Sequence, residues 1–237
     1  MPKKLWEPSK GLIKDSNLFA YEKFISKYYN YIKTKFNEIE KPSLKIIYEM
    51  GNIVKGFEKY DLSIKYYTEI LSKLDPSSII YADVLYQRGG SYERIGNEKK
   101  ADEDLLKSLE LNPDEPHVLN YLAYSWLERN YKINSAIDML EKAYAQREND
   151  PYIIDSVGWA YYLKENYVEA EKNLQKAVEI LPLDPIINDH YADTLWMLNK
   201  HIQARYFWKY ILSLNRAEEK LKNNISNKLI FGITKKL

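Results

Sequence analysis

The chain has 237 residues, 45% hydrophobic and 29% charged, which suits a packed core and excludes a disordered polar segment. Its 35 basic and 34 acidic residues leave a net charge of +1, without the basic excess that a binder of nucleic-acid phosphates needs. There is no cysteine, so disulfides, zinc–thiolate centres and thiol catalysis are excluded.

The opening MPKKLWEPSKGLIK has no continuous apolar run, and no later run approaches the ~18 apolar residues of a membrane span. Neither a signal peptide nor membrane insertion is expected. As written, the chain belongs in the cytoplasm; as a fragment of an exported protein it would be periplasmic or envelope-associated. Within an N-terminal segment over 1–42, the sequence predicts one long helix over 16–39. Asp15 or Ser16 caps it and Pro42 follows it. Tyr21, Ile25, Tyr28, Ile32, Phe36 and Ile39 form its apolar stripe.

From Leu44 the chain repeats itself. The first copy has Gly51 at its eighth position, Val54 at the eleventh, Ser63 at the twentieth, Tyr67 at the twenty-fourth and Ile70 at the twenty-seventh. From Ala82 the same places hold Gly89, Tyr92, Ala101, Leu105 and Ser108, with Pro113 at the thirty-second. From Pro116 come Ala123 and Trp126, then one extra residue near Lys132, then Ala136, Leu140 and Ala143. From Pro151 come Gly158, Tyr161, Ala170, Leu174, Ala177 and Pro182; from Pro185, Ala192, Leu195, Ala204, Trp208 and Ile211. The starts lie 38, 34, 35 and 34 residues apart, giving segments 44–81, 82–115, 116–150, 151–184 and 185–218. Small residues at the eighth and twentieth positions let two antiparallel helices approach, and a large side chain there overpacks. By this reasoning Gly158→Leu is disruptive, and Gly158→Ala is mild because Ala123 and Ala192 hold the same place. Trp126 and Trp208 fall at packing positions.

The helix from Ile202 to Leu214 is apolar nearly all round, so it needs cover on more than one side. Leu221, Ile225 and Leu229 supply it from a capping helix within 219–237. Lys220, Lys222 and Lys228 are expected to face water, and the tail from Gly232 to fray.

These residues resemble the tetratricopeptide repeat, W-x2-L-G-x2-Y followed by A-x3-F and P. In the 151–184 segment Ile154 stands at the pattern's Trp and Leu174 at its Phe. The run from LNYLAYSWLERN to INDHYADTLW is also similar to the C-terminal part of large bacterial proteins of that family. The resemblance implies an all-α, right-handed solenoid of about five helix-turn-helix units, with an N-terminal helix and a C-terminal capping helix. It implies a non-enzymatic scaffold or adaptor that binds a protein or peptide partner. The alternatives are an accessory domain of a larger enzyme or secretion or envelope assembly, and a self-associating scaffold, hence a homo-oligomer.

Among three histidines, His190 with Asp193 three residues on could orient a base or hold a metal. It falls on a helix face expected to be exposed, and no nucleophile or third ligand accompanies it. No catalytic residue, metal site or cofactor is expected, and no nucleic-acid partner. Gly89-Gly90 lies inside a helix, where packing outweighs a phosphate cradle.

The resemblance also implies a concave groove lined by the first helices, at positions 2, 5, 6, 9, 12 and 13. Those positions give Tyr86, Gln87, Asn120, Tyr121, Tyr124, Tyr152, Asp155, Trp159, Tyr162, Asp189, His190, Asp193 and Trp196. The Lys, Asn and Arg clamp by which some relatives hold acidic chaperone tails has no counterpart: Tyr48, Asn52, Gln87, His117 and Tyr121 stand there. Asp155, Asp189 and Asp193 point instead to a neutral or basic ligand, with Tyr124, Trp159 and Trp196 as its anchors.

Overall fold

The computed structural model describes residues 15–215 and 217–233, with side chains from Ser26 onward. The expectations for 1–14, for the Tyr21 and Ile25 side chains and for 234–237 lie outside it. Among the described residues there are twelve helices and no strand. The chain is an all-α helical repeat, and it divides into two compact units, one ending at Val118 and one starting at Leu119.

The unit up to Val118 opens with α1 (Asp15–Asn37) and continues with α2 (Leu44–Gly56), α3 (Tyr60–Leu71), α4 (Ile79–Arg94) and α5 (Glu98–Leu111). Ser43, Ser78 and Asn97 cap α2, α4 and α5 by accepting from the amides of Ile46, Tyr81 and Lys100. Helices α2 and α3 pair, as do α4 and α5, and each pair buries small against large. A Cβ on Gly51 would come 2.7 Å from the Tyr67 ring, and one on Gly89 3.0 Å from Leu105 Cγ. Ile47, Tyr67, Ile70, Leu71, Val84 and Leu85 form the core, with Phe36 of α1 packed against it. One half-buried ion pair has no sign in the sequence. Arg88 of α4 reaches both oxygens of Asp104 on α5, at 2.7 and 2.8 Å.

The division falls inside α6 (Pro116–Glu128), so the second unit starts with that helix's last ten residues, 119–128. It continues with α7 (Ile133–Gln146), α8 (Pro151–Leu163), α9 (Tyr167–Ile180), α10 (Pro185–Met197), α11 (His201–Ser213) and α12 (Glu219–Phe231). Asp150 and Asp184 cap α8 and α10 just ahead of Pro151 and Pro185, whose missing N–H groups fall where a helix start has no acceptor for them. A Cβ on Gly158 would meet Leu174 Cγ at 2.6 Å. This overturns the expectation that alanine is mild there: Leu174 is fully buried and cannot simply rotate away.

Each turn from first to second helix carries one residue with positive φ: Glu58, Gly96, Asn130, Glu165 and Asn199. All five stand at the fifteenth position of their segments, so the turn recurs in register even where glycine does not. Lys132, beside the extra residue in α6–α7, is also left-handed at φ 43°.

At the C-terminal end, Ala192, Leu195, Ala204, Trp208, Ile211, Ala217 and Ile225 form one buried cluster. Leu221 and Leu229 pack against it from α12. The outward residues of α12 are mostly polar: Glu219, Lys220, Asn223, Asn224, Ser226 and Asn227 are exposed, as a terminal cap requires.

Candidate protein-interaction face

The first helices of the second unit share one face, and most of the residues singled out in the sequence lie on it. Asp155 of α8 and His190 of α10 form its centre. His190 Nδ1 lies 2.9 and 3.1 Å from the two Asp155 oxygens, and both side chains are buried. Burial works against charge on the imidazole, but the Asp155 carboxylate outweighs it and raises His190 to about 9. His190 is therefore an imidazolium at neutral pH. The expectation of an exposed histidine paired with Asp193 is corrected on both counts. The partner comes from the preceding first helix, and Trp159 covers the ring.

Trp159 stacks on His190 at 4.1 Å between centroids and 14° between planes. It also stacks on Tyr162, at 4.5 Å and 9°. Two rings this close to one centroid cannot share a face, so Trp159 is sandwiched between them. The charged imidazole on an indole face adds a cation–π contact to the ion pair. Tyr124 of α6 also lies near His190, with ring centroids 6.1 Å apart and planes tilted by 47°. Burial raises the hydroxyls of Tyr124 and Tyr162 above the ordinary phenol value.

Asp189 and Asp193 are buried too, and one cation serves both. Lys228 of α12 donates to Asp189 at 2.8 and 2.9 Å and to Asp193 at 2.8 and 2.7 Å. The indole N–H of Trp208 also donates to Asp193, at 3.0 Å. Burial, and then the neighbouring Asp189 charge, push the Asp193 carboxyl well above the usual carboxylate range. Lys228 thus turns inward, which corrects the expectation that it faces water. It stands three residues after the fully buried Ile225, on the inner side of α12. That i, i+3 relation was the available signal.

Trp196 is covered on several sides: by Trp208, by His201, by the Arg205 guanidinium 5.3 Å from its ring, and by the backbone at Gly232. Arg205 also donates to the Leu229 carbonyl, tying α11 to α12. Asn120, Tyr121 and Tyr152 share the face, Asn120 buried and the two tyrosines half-buried. Tyr86 is buried in the unit up to Val118, on α4. Among the described residues no group of three His, Asp or Glu side chains is placed to hold a metal ion. No described helix is long and apolar enough to cross a membrane.

Helix pairs with a small residue at one crossing position, a bulky one opposite, and a left-handed turn at a fixed place define a class of helical-repeat proteins. The comparisons support a tetratricopeptide repeat protein. The family's profile, described as tetratricopeptide repeat, matches residues 82–115. A TPR repeat-containing protein of Pseudomonas aeruginosa is 29% identical over 100 residues, which is 42% of this chain and 17% of that protein. The matched stretch thus spans about a sixth of its curated relative's length. Among solved structures, the chain is similar to a thermophilic TPR protein of Thermus thermophilus, at TM-score 0.65 and 16% identity over 79% of this chain and all of that one. It is also similar to a chain of the APC/C Cut9–Hcn1 hetero-tetramer, at TM-score 0.72 and 14% identity over 87% of this chain and 40% of that one. At such identities these likenesses establish the fold. Tetratricopeptide repeats generally mediate protein–protein interaction and are generally non-catalytic.

Proposed function

We propose that this chain is a non-enzymatic interaction module whose first-helix face in the second unit receives a segment of a protein partner. The observation that carries this reading is the row of half-buried aromatic rings there, Tyr121, Tyr124, Tyr152 and Tyr162, set around charged groups that are already paired. Rings held at partial exposure offer apolar area at little cost in lost rotamer freedom, which suits a protein contact. Trp159 and Trp196 support this row and are not its anchors, because their ring faces are covered within the chain.

The reading is tested by placing a photo-crosslinking amino acid at Tyr121, on this face, and at Lys172, on the exposed side of second helix α9. Adducts with another protein from the Tyr121 site alone support it. Adducts only from Lys172 contradict it. Adducts that contain two copies of this chain turn it into a self-associating scaffold. A module within a larger protein is favoured by one further observation, that the curated relative is much longer than the stretch it shares with this chain.

A further inference from the structure

Charge is spread unevenly along the chain. Residues 194–237 hold nine Lys and Arg against two Asp and Glu, a net charge of +7, which leaves the residues before them at −6. No acid stands between Thr194 and Ala217, and none follows Glu219. The earlier second helices of the same unit do carry acids, Asp138 and Glu141 on α7 and Glu169, Glu171 and Glu179 on α9. Two of the nine cations are matched within the fold: Lys228 by Asp189 and Asp193, and Lys200 by Glu171 at 2.6 Å. Lys209 on α11 and Lys220 on α12 are exposed. Such an asymmetry points to an anionic partner for this end of the molecule.

The same end carries the most exposed large apolar side chains of its unit. Ile202 is 86% exposed, Phe231 73% and Ile230 69%, with Tyr206 at 67%. Ile202, Tyr206 and Lys209 follow at i, i+4 and i+7 on one side of α11. The start of α11 and the end of α12 are held together. Arg205, one turn after Ile202, donates to the Leu229 carbonyl beside Ile230, and the Trp196 ring lies against both His201 and the backbone at Gly232. The tyrosines of the first-helix face are half-buried, whereas these four side chains protrude.

We infer that the α11–α12 end docks on the surface of a bilayer with anionic headgroups, with Ile202, Tyr206, Ile230 and Phe231 entering the headgroup–acyl boundary and Lys209 and Lys220 meeting lipid phosphates. Protruding apolar side chains among cations, with almost no acid nearby, are what an interfacial contact uses. A nucleic acid would reward the cations but not the isoleucines and Phe231. A second copy docked through the same end would set like charge against like. Its four side chains also fall short of the roughly 800 Å² per partner that a stable dimer buries. The contact is peripheral and needs no spanning helix. It uses residues outside the first-helix row of tyrosines and does not rest on the binding reading of that face.

The test uses the intact chain with vesicles of phosphatidylglycerol and phosphatidylcholine in about equal parts, and with vesicles of phosphatidylcholine alone. Because the chain has no cysteine, Ile202→Cys and Glu141→Cys each place one environment-sensitive fluorophore, at this end and on the exposed side of α7. The inference predicts that the label at position 202 brightens and shifts to the blue with the anionic vesicles only, and that the label at position 141 responds to neither. In co-sedimentation, Ile230→Ser with Phe231→Ser should weaken binding to the anionic vesicles about tenfold or more. Lys209→Gln with Lys220→Gln should weaken it about tenfold, and both pairs should melt as the wild type does. A label at position 202 that does not respond to anionic vesicles overturns the inference, whatever the paired variants do. Vesicle binding that the serine pair leaves intact also overturns it. A DNA duplex bound by the wild type and the serine pair but not by the glutamine pair overturns it in favour of a nucleic acid. A dimer in lipid-free buffer that the serine pair abolishes overturns it in favour of a second copy.

Discussion

The two units join successive first helices by opposite electrostatic means. In the unit up to Val118, Lys55 of α2 donates to the carbonyl and the side-chain oxygen of Gln87 on α4, at 3.1 and 3.0 Å. The phenol of Tyr48 donates to Asp83 at 2.6 Å. Each of these bridges pairs a charged group with a neutral one. In the unit from Leu119, acids meet cations: Asp155 of α8 faces His190 of α10, and Asp189 with Asp193 of α10 shares Lys228 of the capping helix α12. The lesson is that the repeat specifies where successive helices touch and leaves the chemistry of the touch open. A buried pair with both partners present is tolerated, and one stripped of a partner is not.

The largest departure from this arrangement should come from removing α12. Deleting residues 219–237 exposes the C-terminal cluster and withdraws Lys228. With about 1.5–3 kcal/mol for each of Leu221, Ile225 and Leu229 that no longer packs, the melting temperature should fall by roughly 10 °C or more. A truncated chain that melts like the intact one contradicts the capping role. Lys228→Met isolates the charge: it leaves Asp189 and Asp193 without their cation and should cost roughly 3 kcal/mol in urea melts. Adding Asp189→Asn and Asp193→Asn should return most of it. A single Lys228→Met variant as stable as the wild type would show that the ammonium contributes nothing.

The contrast between the units also has a pH signature. Asp155 raises the folded His190 from its usual 6.5 to about 9. Its stabilisation is complete below pH 6.5 and is lost as pH rises through 9. Burial lowers the folded Lys55 from 10.5 to about 8. The cost of holding it charged is complete below pH 8 and fades as pH rises toward 10.5. The stability lead of wild type over His190→Gln should therefore shrink between about pH 6 and 9.5, whereas wild type should gain on Lys55→Met between about pH 8 and 10.5. Each change should be on the order of 2–3 kcal/mol at most. Slopes of the same sign would erase the distinction between the units.

A smaller effect separates tight from open glycines. Gly158→Ala should cost about 1–3 kcal/mol, because its Cβ runs into Leu174. Gly56→Ala, with nothing within 4 Å of its Cβ, should be neutral or gain up to about 1 kcal/mol of helix propensity. Equal effects at the two sites would mean that the Gly158–Leu174 approach is looser than it stands.

The fold was legible because it is written in recurring positions. Gly51, Gly89 and Gly158 announced the crossings, and Tyr67, Leu105 and Leu174 are the side chains that fill them. The turn was half legible: Gly96 shows its left-handed place, but Glu58 and Glu165 occupy the same place with no compositional sign. The face was legible as a set of residues, since helical spacing gathers Asp155, Trp159 and Tyr162 on one side of α8. Its pairings were not. His190 meets Asp155 35 residues away, and Lys228 meets Asp189 39 away. Such contacts depend on how one helix sits on the next, which spacing within a single helix does not encode.

The centre of the face depends on the charged state of His190, and an NMR titration of its Cε1–Hε1 signal in the intact chain measures that state directly. The predicted result is an imidazolium at neutral pH that titrates near 9 in the wild type and falls well below that in Asp155→Asn. A wild-type His190 that titrates at or below 6.5, with no response to Asp155→Asn, would contradict it. The imidazole at the centre of the face would then be neutral.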